Sequence, residues 1–345
     1  MQIAVGFVIS GLFVFILLRE VSPEQLGQVL SDAQPLPMVA VALGVVCSLV
    51  TRAARWQVYF RPDRHVPFRP LLETLSISYM ASTFLPLRAG ELVRAVFLGA
   101  RQSIPVPRVV GTILLEKLFD FLAIGVMLLV LVILTPTRTE VRVGGGSIAA
   151  VILVGFGFVV ALAVWRTPTL RLVKLVEARL PFGLGRRIGL ERAVSHFAEG
   201  TDSLRVPGLW VPLLGWTIVT WSFSLATAWA GCFTLGVEPG LPALLFLIVL
   251  TSSSQAVPSS PGYIGVYHYF AKLALTTFGV DATKALGIAI MTWVFSYGPL
   301  VVAGLIGLWT GGYTFGDVLS GVRGQRSSLK SAPTVAEPWS VAPDP

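Results

Sequence analysis

The stretch TFLPLRAGELVR, Thr83 to Arg94, sets a proline, a glycine and three charges (Arg88, Glu91, Arg94) inside a long apolar region. An ionisable side chain at bilayer depth costs about 2.5–3.5 kcal/mol on insertion scales, so an ordinary spanning helix does not hold three of them. Backbone broken at that depth is tolerated only where it is buried in protein or lines a wet cavity. The stretch is therefore either a loop outside the membrane or the tip of a re-entrant hairpin. Its flanks favour the hairpin.

Working outward, 54% of the residues are hydrophobic and only 13% are charged, where soluble domains have about a quarter charged. Several apolar runs of roughly 17–25 residues make the chain an all-α, polytopic integral membrane protein. The net charge of +8 then reads as basic loops beside anionic lipid, not as a nucleic-acid footprint. Cys47 and Cys232 both lie in apolar runs, so no disulfide framework is expected. His65, His196 and His268 are too scattered for a local metal motif, and no P-loop, nucleophile elbow or zincin signature occurs. Neither metal nor cofactor is expected.

Six full spans are read at 1–18, 37–60, 109–134, 147–165, 209–235 and 285–309. The first reaches only about 27 Å at helical rise and lacks the basic start and small-residue cleavage site of a signal peptide. The loop at 19–35 is acidic (Glu20, Glu24, Asp32), whereas Arg52, Arg55, Arg61, Arg64 and Arg69 form a basic run that begins beyond the middle of the second span, with only Asp63 opposing. The positive-inside rule puts the basic run, and with it both termini, in the cytoplasm of a cell whose inner membrane holds the protein. Two shorter units, 71–100 and 242–278, are each interrupted at Pro-x-x-x-Gly and read as re-entrant hairpins of broken helices. The segment 166–207 holds eight basic residues against four acidic ones. It reads as a cytoplasmic amphipathic connector, with Leu172, Leu175, Val176 and Leu180 on one helix face, or as a solvated linker. The membrane domain thus covers 1–312, followed by a disordered cytoplasmic tail at 313–345.

The two interrupted units share a pattern. Ser82 to Arg94 reads STFLPLRAGELVR and Ser254 to Val266 reads SQAVPSSPGYIGV. Bracketing spans of opposite sense make this the layout of an inverted repeat around a midplane site. The alternative is that both are packing devices, with Pro and Gly letting helices approach closely. A half-helix opening at Gly90 or Gly262 would present free N–H groups and a positive dipole end, which suits an anion such as phosphate. Arg88 and Arg94 add guanidinium donors suited to phosphate. Downstream, TILLEKLFDF (Thr112 to Phe121) places Glu116 and Asp120 on one helix face with Lys117 beside them. An unpaired carboxylate at the mid-depth of Asp120 would be costly or would protonate, and pairing with Arg94 or Arg88 is expected. The alternative for Glu116 is a place at a helix N-terminus, where negative charge is mildly favoured. In the second half the polar run Thr251 to Gln255 (TSSSQ) is read as lining a cavity, and Ser254, Gln255, Ser259, Gly262, Tyr263 and His268 are taken as candidate substrate-binding residues. His268 is read as a proton-sensitive group or as a helix–helix hydrogen-bond partner.

At LPLRAGELVRA (Leu85 to Ala95), LLEKLFD (Leu114 to Asp120) and VPSSPGYIGVYH (Val257 to His268) the chain resembles the lysylphosphatidylglycerol synthase transmembrane-region family, a flippase-like domain. The likeness in length and span pattern runs over about residues 1–312. The family commonly has asparagine where this chain has Ser82 and Thr83, arginine at Lys117 and glutamate at His268, changes that bear on any shared ion coupling. Bifunctional members have a soluble aminoacyltransferase domain after the membrane part, and this chain is expected not to be that synthase on its own. The resemblance implies translocation of an anionic or phosphate-linked lipid, with transport favoured over catalysis and no catalytic residue assigned. A membrane-embedded transferase on a lipid-linked phosphate, or a scaffold for a separately encoded lipid-modifying enzyme, are the alternatives.

Overall fold

The computed structural model describes residues 2–62, 65–85, 89–135, 139–165, 201–255, 257, 259–314 and 316. Pro86, Arg88 and Pro258 of the two breaks lie outside the described residues, as do the connector at 166–200 and the tail from 317 onward.

The described residues form helices and no strand: α1 Gln2–Glu20, α2 Pro23–Ser31, α3 Pro35–Phe60, α4 Phe68–Phe84, α5 Ala89–Gln102 and α6 Val106–Leu134 lead the chain. They are followed by α7 Thr139–Val164, α8 Trp210–Phe233, α9 Leu241–Ser254, α10 Val266–Thr277 and α11 Ala282–Gly311. Four helices, α3, α6, α8 (with the turn Pro207–Leu209) and α11, are long and apolar enough to cross a membrane. α1 and α2 make a fifth span only if taken together across an 84° bend, and the apolar part of α7, Gly145–Ala161, is shorter. Helix ends follow local chemistry. Asp281 caps α11 by accepting from the Thr283 and Lys284 amides, and Gly312 closes it at φ +71°.

Small residues set the closest crossings. α3 meets α8 where Gly44 faces Thr227, and Thr220 Oγ1 donates to Thr51 Oγ1 at 3.0 Å. α4 meets α11 where Gly304 faces Met80 and Gly307 faces the Glu73 backbone.

α4 and α5 are about 25 and 21 Å long at helical rise, each short of a 30 Å hydrocarbon core. They fold back on each other as an antiparallel pair. Ser78 Oγ donates to the Gly90 carbonyl at 2.8 Å near the tip, while Glu73 pairs with Arg101 at the base. The approach at the tip requires glycine, because a methyl group on Gly90 would lie 2.1 Å from both the Ser78 carbonyl oxygen and Ser82 Oγ. Gly90→Ala is expected to cost about 1–3 kcal/mol, an overpacking penalty, read as a lower denaturation midpoint in detergent. Gly11→Ala, where nothing lies within 4 Å, should leave the midpoint unchanged or raise it.

α9 and α10 also fold back, with Phe246 and Phe278 rings 6.0 Å apart at their far ends. Between them is the turn Pro261–Tyr263, whose Gly262 carbonyl accepts from Trp293 Nε1 at 2.8 Å. The second half-helix does not open at Gly262, as the sequence pattern suggests. It opens at Val266, because φ is positive at Gly262 (+71°), Tyr263 (+57°) and Gly265 (+83°), and a right-handed helix cannot run through such residues. α1 packs on this break, with the Ser260 amide donating to Ser10 Oγ at 2.8 Å and Glu20 paired with Lys272. The two breaks approach one another. The turn Pro261–Tyr263 packs on α4, and a methyl group on Gly262 would lie 3.7 Å from the Thr83 carbonyl oxygen.

Candidate functional site

A buried ionic cluster joins α3, α5, α6 and α8. Arg52 and Arg55, three apart on α3, share one face with each other. Glu116 and Asp120, four apart, do the same on α6. Arg55 Nη2 lies 2.8 Å from Asp120 Oδ1, Arg52 Nη1 lies 3.2 Å from Asp120 Oδ2, and Arg55 Nη1 donates to Thr217 Oγ1 of α8 at 3.2 Å. From α5, Arg94 Nη2 comes to 2.6 Å from Glu116 Oε2. That contact is ionic without hydrogen-bond alignment, since neither atom meets hydrogen-bond geometry. The Arg94 guanidinium stacks 3.6 Å above the Trp56 ring, a cation–π arrangement, and Trp56 is itself held by a 2.9 Å bond from Nε1 to Thr112 Oγ1.

The expected partnership of Asp120 with Arg94 or Arg88 is therefore corrected. Arg94 goes to Glu116 instead, and Asp120 takes Arg52 and Arg55, while Arg88 lies outside the described residues. Arg52 and Arg55, grouped in the sequence with the cytoplasmic basic run, are likewise drawn into the interior. The Arg55 side chain is 0% exposed and that of Arg52 16% exposed, because two carboxylates on the facing helix offset the loss of hydration. A charge that interrupts an apolar span must be paired or reach water, and this holds for Arg52 and Arg55 as it does for Asp120.

Three guanidiniums against two carboxylates leave this cluster with one excess positive charge. The nearby Lys117–Glu91 pair, 2.8 Å apart and more than a third exposed, balances itself. Arg55 Nε, Arg94 Nε, Tyr59 Oη and Trp221 Nε1 are buried without a hydrogen-bond partner, and Arg52 sits over the Trp221 ring at 5.9 Å. Unpaired buried donors are unfavourable by about 1–3 kcal/mol each, so the cluster favours an acceptor-rich anion. Arg52 and Asp120, at 16% and 15% side-chain exposure, are its accessible edge.

The second group of sequence-selected residues behaves differently. Ser254 is fully buried and donates to the Thr251 carbonyl of its own helix, as Thr251 and Ser253 do to theirs, so the expected lining role does not apply to Ser254. Gln255 is exposed, and Ser259 is half-buried with its carbonyl against Gly6. Gly262 and Tyr263 form the turn. His268 is buried among Tyr267 and Trp293, each 5.7 Å between ring centroids, with Nδ1 unpartnered. Among the described residues no group of His, Cys, Asp and Glu is arranged to hold a metal.

Helices of spanning length, two interrupted helical hairpins in contact and an ionic cluster buried between helices define a multi-pass integral membrane protein with a charged interior. The family model of the lysylphosphatidylglycerol synthase TM region matches residues 3–304, and the chain belongs to that family. It is also similar to Glycosyltransferase AglD of Haloferax volcanii, at 25% identity over 88% of this chain. The match takes in 53% of that relative, so the chain spans about half the length of the curated protein it resembles.

Proposed function

We propose that the protein translocates an anionic, phosphate-bearing lipid between leaflets of the cytoplasmic membrane. The observation that carries this reading is the buried cluster of Arg52, Arg55 and Arg94, in excess over Glu116 and Asp120 and holding unpartnered donors. The broken hairpins enter from opposite faces as an inverted repeat and both termini are cytoplasmic. The headgroup phosphate exchanges with Asp120 for Arg52, whose side chain is the more accessible of the paired arginines. Family membership supports a membrane-lipid context.

Proteoliposomes with fluorescent phosphatidylglycerol test it. Arg52→Gln is expected to slow translocation about tenfold, the loss of one charge-assisted hydrogen bond, with the denaturation midpoint held near wild type. No transport by the wild type, or full transport by Arg52→Gln, counts against it.

A second reading is favoured by the name of the AglD relative: a transferase acting on a lipid-linked phosphate, alone or with a separately encoded lipid-modifying enzyme. In it Glu116 and Asp120 supply acid–base groups and the arginines clamp phosphate. A new covalent product from defined lipid and donor distinguishes it, since translocation makes no bond.

A further inference from the structure

The wall of the second hairpin has a chemistry that the phosphate site does not use. Trp293 and Tyr297 of α11 are stacked, centroids 5.3 Å apart. Trp293 also lies 5.7 Å from the His268 ring and is fixed by its bond to the Gly262 carbonyl. The Tyr267 ring lies 5.7 Å from the His268 ring. Tyr79 of α4, packed with Leu300 and Ala303 of α11 against Leu49 and Ala53 of α3, stands between the helix of this wall and the helix that holds Arg52 and Arg55. His268 is only 8% exposed, yet its Nδ1 has no partner. A buried nitrogen able to hydrogen-bond therefore sits among aromatic faces and a phenol in the wall of the second hairpin.

Resting on the translocated-lipid reading above, we propose that this wall binds a ring polyol, a sugar or inositol, attached through a phosphodiester to the lipid. Aromatic faces take the apolar C–H face of such a ring, and hydroxyls and imidazole take its edge, the mixture of flat apolar surface and few placed polar groups that ligand sites use. The single excess positive charge matches a phosphodiester, which has one negative charge. A cationic headgroup fits badly: residues 241–277 contain no Asp or Glu, and their one charge, Lys272, is a cation paired with Glu20. A linear polyol such as glycerol has no flat face to stack.

The test is equilibrium binding of the full chain in nanodiscs to short-chain phosphatidylinositol, phosphatidylglycerol and phosphatidylcholine. Phosphatidylinositol and phosphatidylglycerol have the same charge, so their ratio reports the polyol alone. Phosphatidylinositol should bind about tenfold more tightly than phosphatidylglycerol, the worth of one or two hydrogen bonds. His268→Phe and Tyr297→Phe, which keep the rings and remove polar atoms, should each bring that ratio to within about twofold and leave phosphatidylglycerol binding unchanged. Arg52→Gln should weaken both lipids alike. Equal binding of the two anionic lipids, a ratio unmoved by both variants, or tightest binding of phosphatidylcholine overturns the proposal. A preserved ratio with no transport in liposomes sinks translocation and leaves the polyol site standing.

Discussion

Glu116→Gln is expected to destabilise the protein by about 3–5 kcal/mol, the cost of stranding one member of a buried ion pair. Arg94 is the residue stranded. Its side chain is 4% exposed, its contact with Glu116 Oε2 is 2.6 Å, and what remains beside it is the face of Trp56. Arg52 and Arg55 retain Asp120, lying 3.7 and 3.8 Å from Glu116 Oε1, so the damage should centre on the α5–α6 contact. The measurement is the unfolding free energy in detergent, together with Arg94→Gln and the double variant. Removing both charges should recover part of the loss, with a coupling energy above about 1 kcal/mol. Strict additivity would mean that the two side chains do not support one another, and the cluster as described would be wrong.

The second large effect falls at the other end of the first hairpin. Glu73 is buried and accepts from Arg69 Nε at 2.8 Å and Thr310 Oγ1 at 3.0 Å, and it pairs with Arg101. Arg69 is 72% exposed and contributes little. The ties that matter join α4 to α5 and to the end of α11. Glu73→Ala should cost about 2–3 kcal/mol, since hydrogen bonds to charged groups are worth about 1.5–3 kcal/mol. The loss should be local. Hydrogen exchange of amides 93–102 is expected to quicken about 30- to 100-fold, whereas α8, on the far side of α3, keeps its protection. Uniform loosening of all helices would instead make Glu73 a generic packing residue.

Both predictions concern charges that an apolar chain hides, and such charges are where reading the sequence succeeded and failed. Glu116 and Asp120 were legible because helical spacing alone puts residues four apart on one face. Their partners were not. Arg94 is 22 residues from Glu116 in the sequence and Arg55 is 65 from Asp120, and nothing local sets which guanidinium reaches which carboxylate. Arg52 and Arg55 were read as part of a cytoplasmic basic run because five arginines close in sequence look alike until a facing helix singles out two. Ser254 was misplaced for a related reason: a hydroxyl within a helix can bond the backbone of its own preceding turn, so a polar run need not line a cavity.

By itself the sequence determined that this chain is a helical membrane protein and that two of its shorter helical units are interrupted near a Pro-x-x-x-Gly stretch. Those outcomes follow from composition, periodicity and the conformational limits of proline and glycine, which act over a few residues. Only the tertiary structure decided that the two breaks touch, that the second half-helix starts at Val266, and which charges neutralise which. Those outcomes depend on the order in which helices pack, and burial makes charge pairing a matter of ångströms in space rather than of distance along the chain.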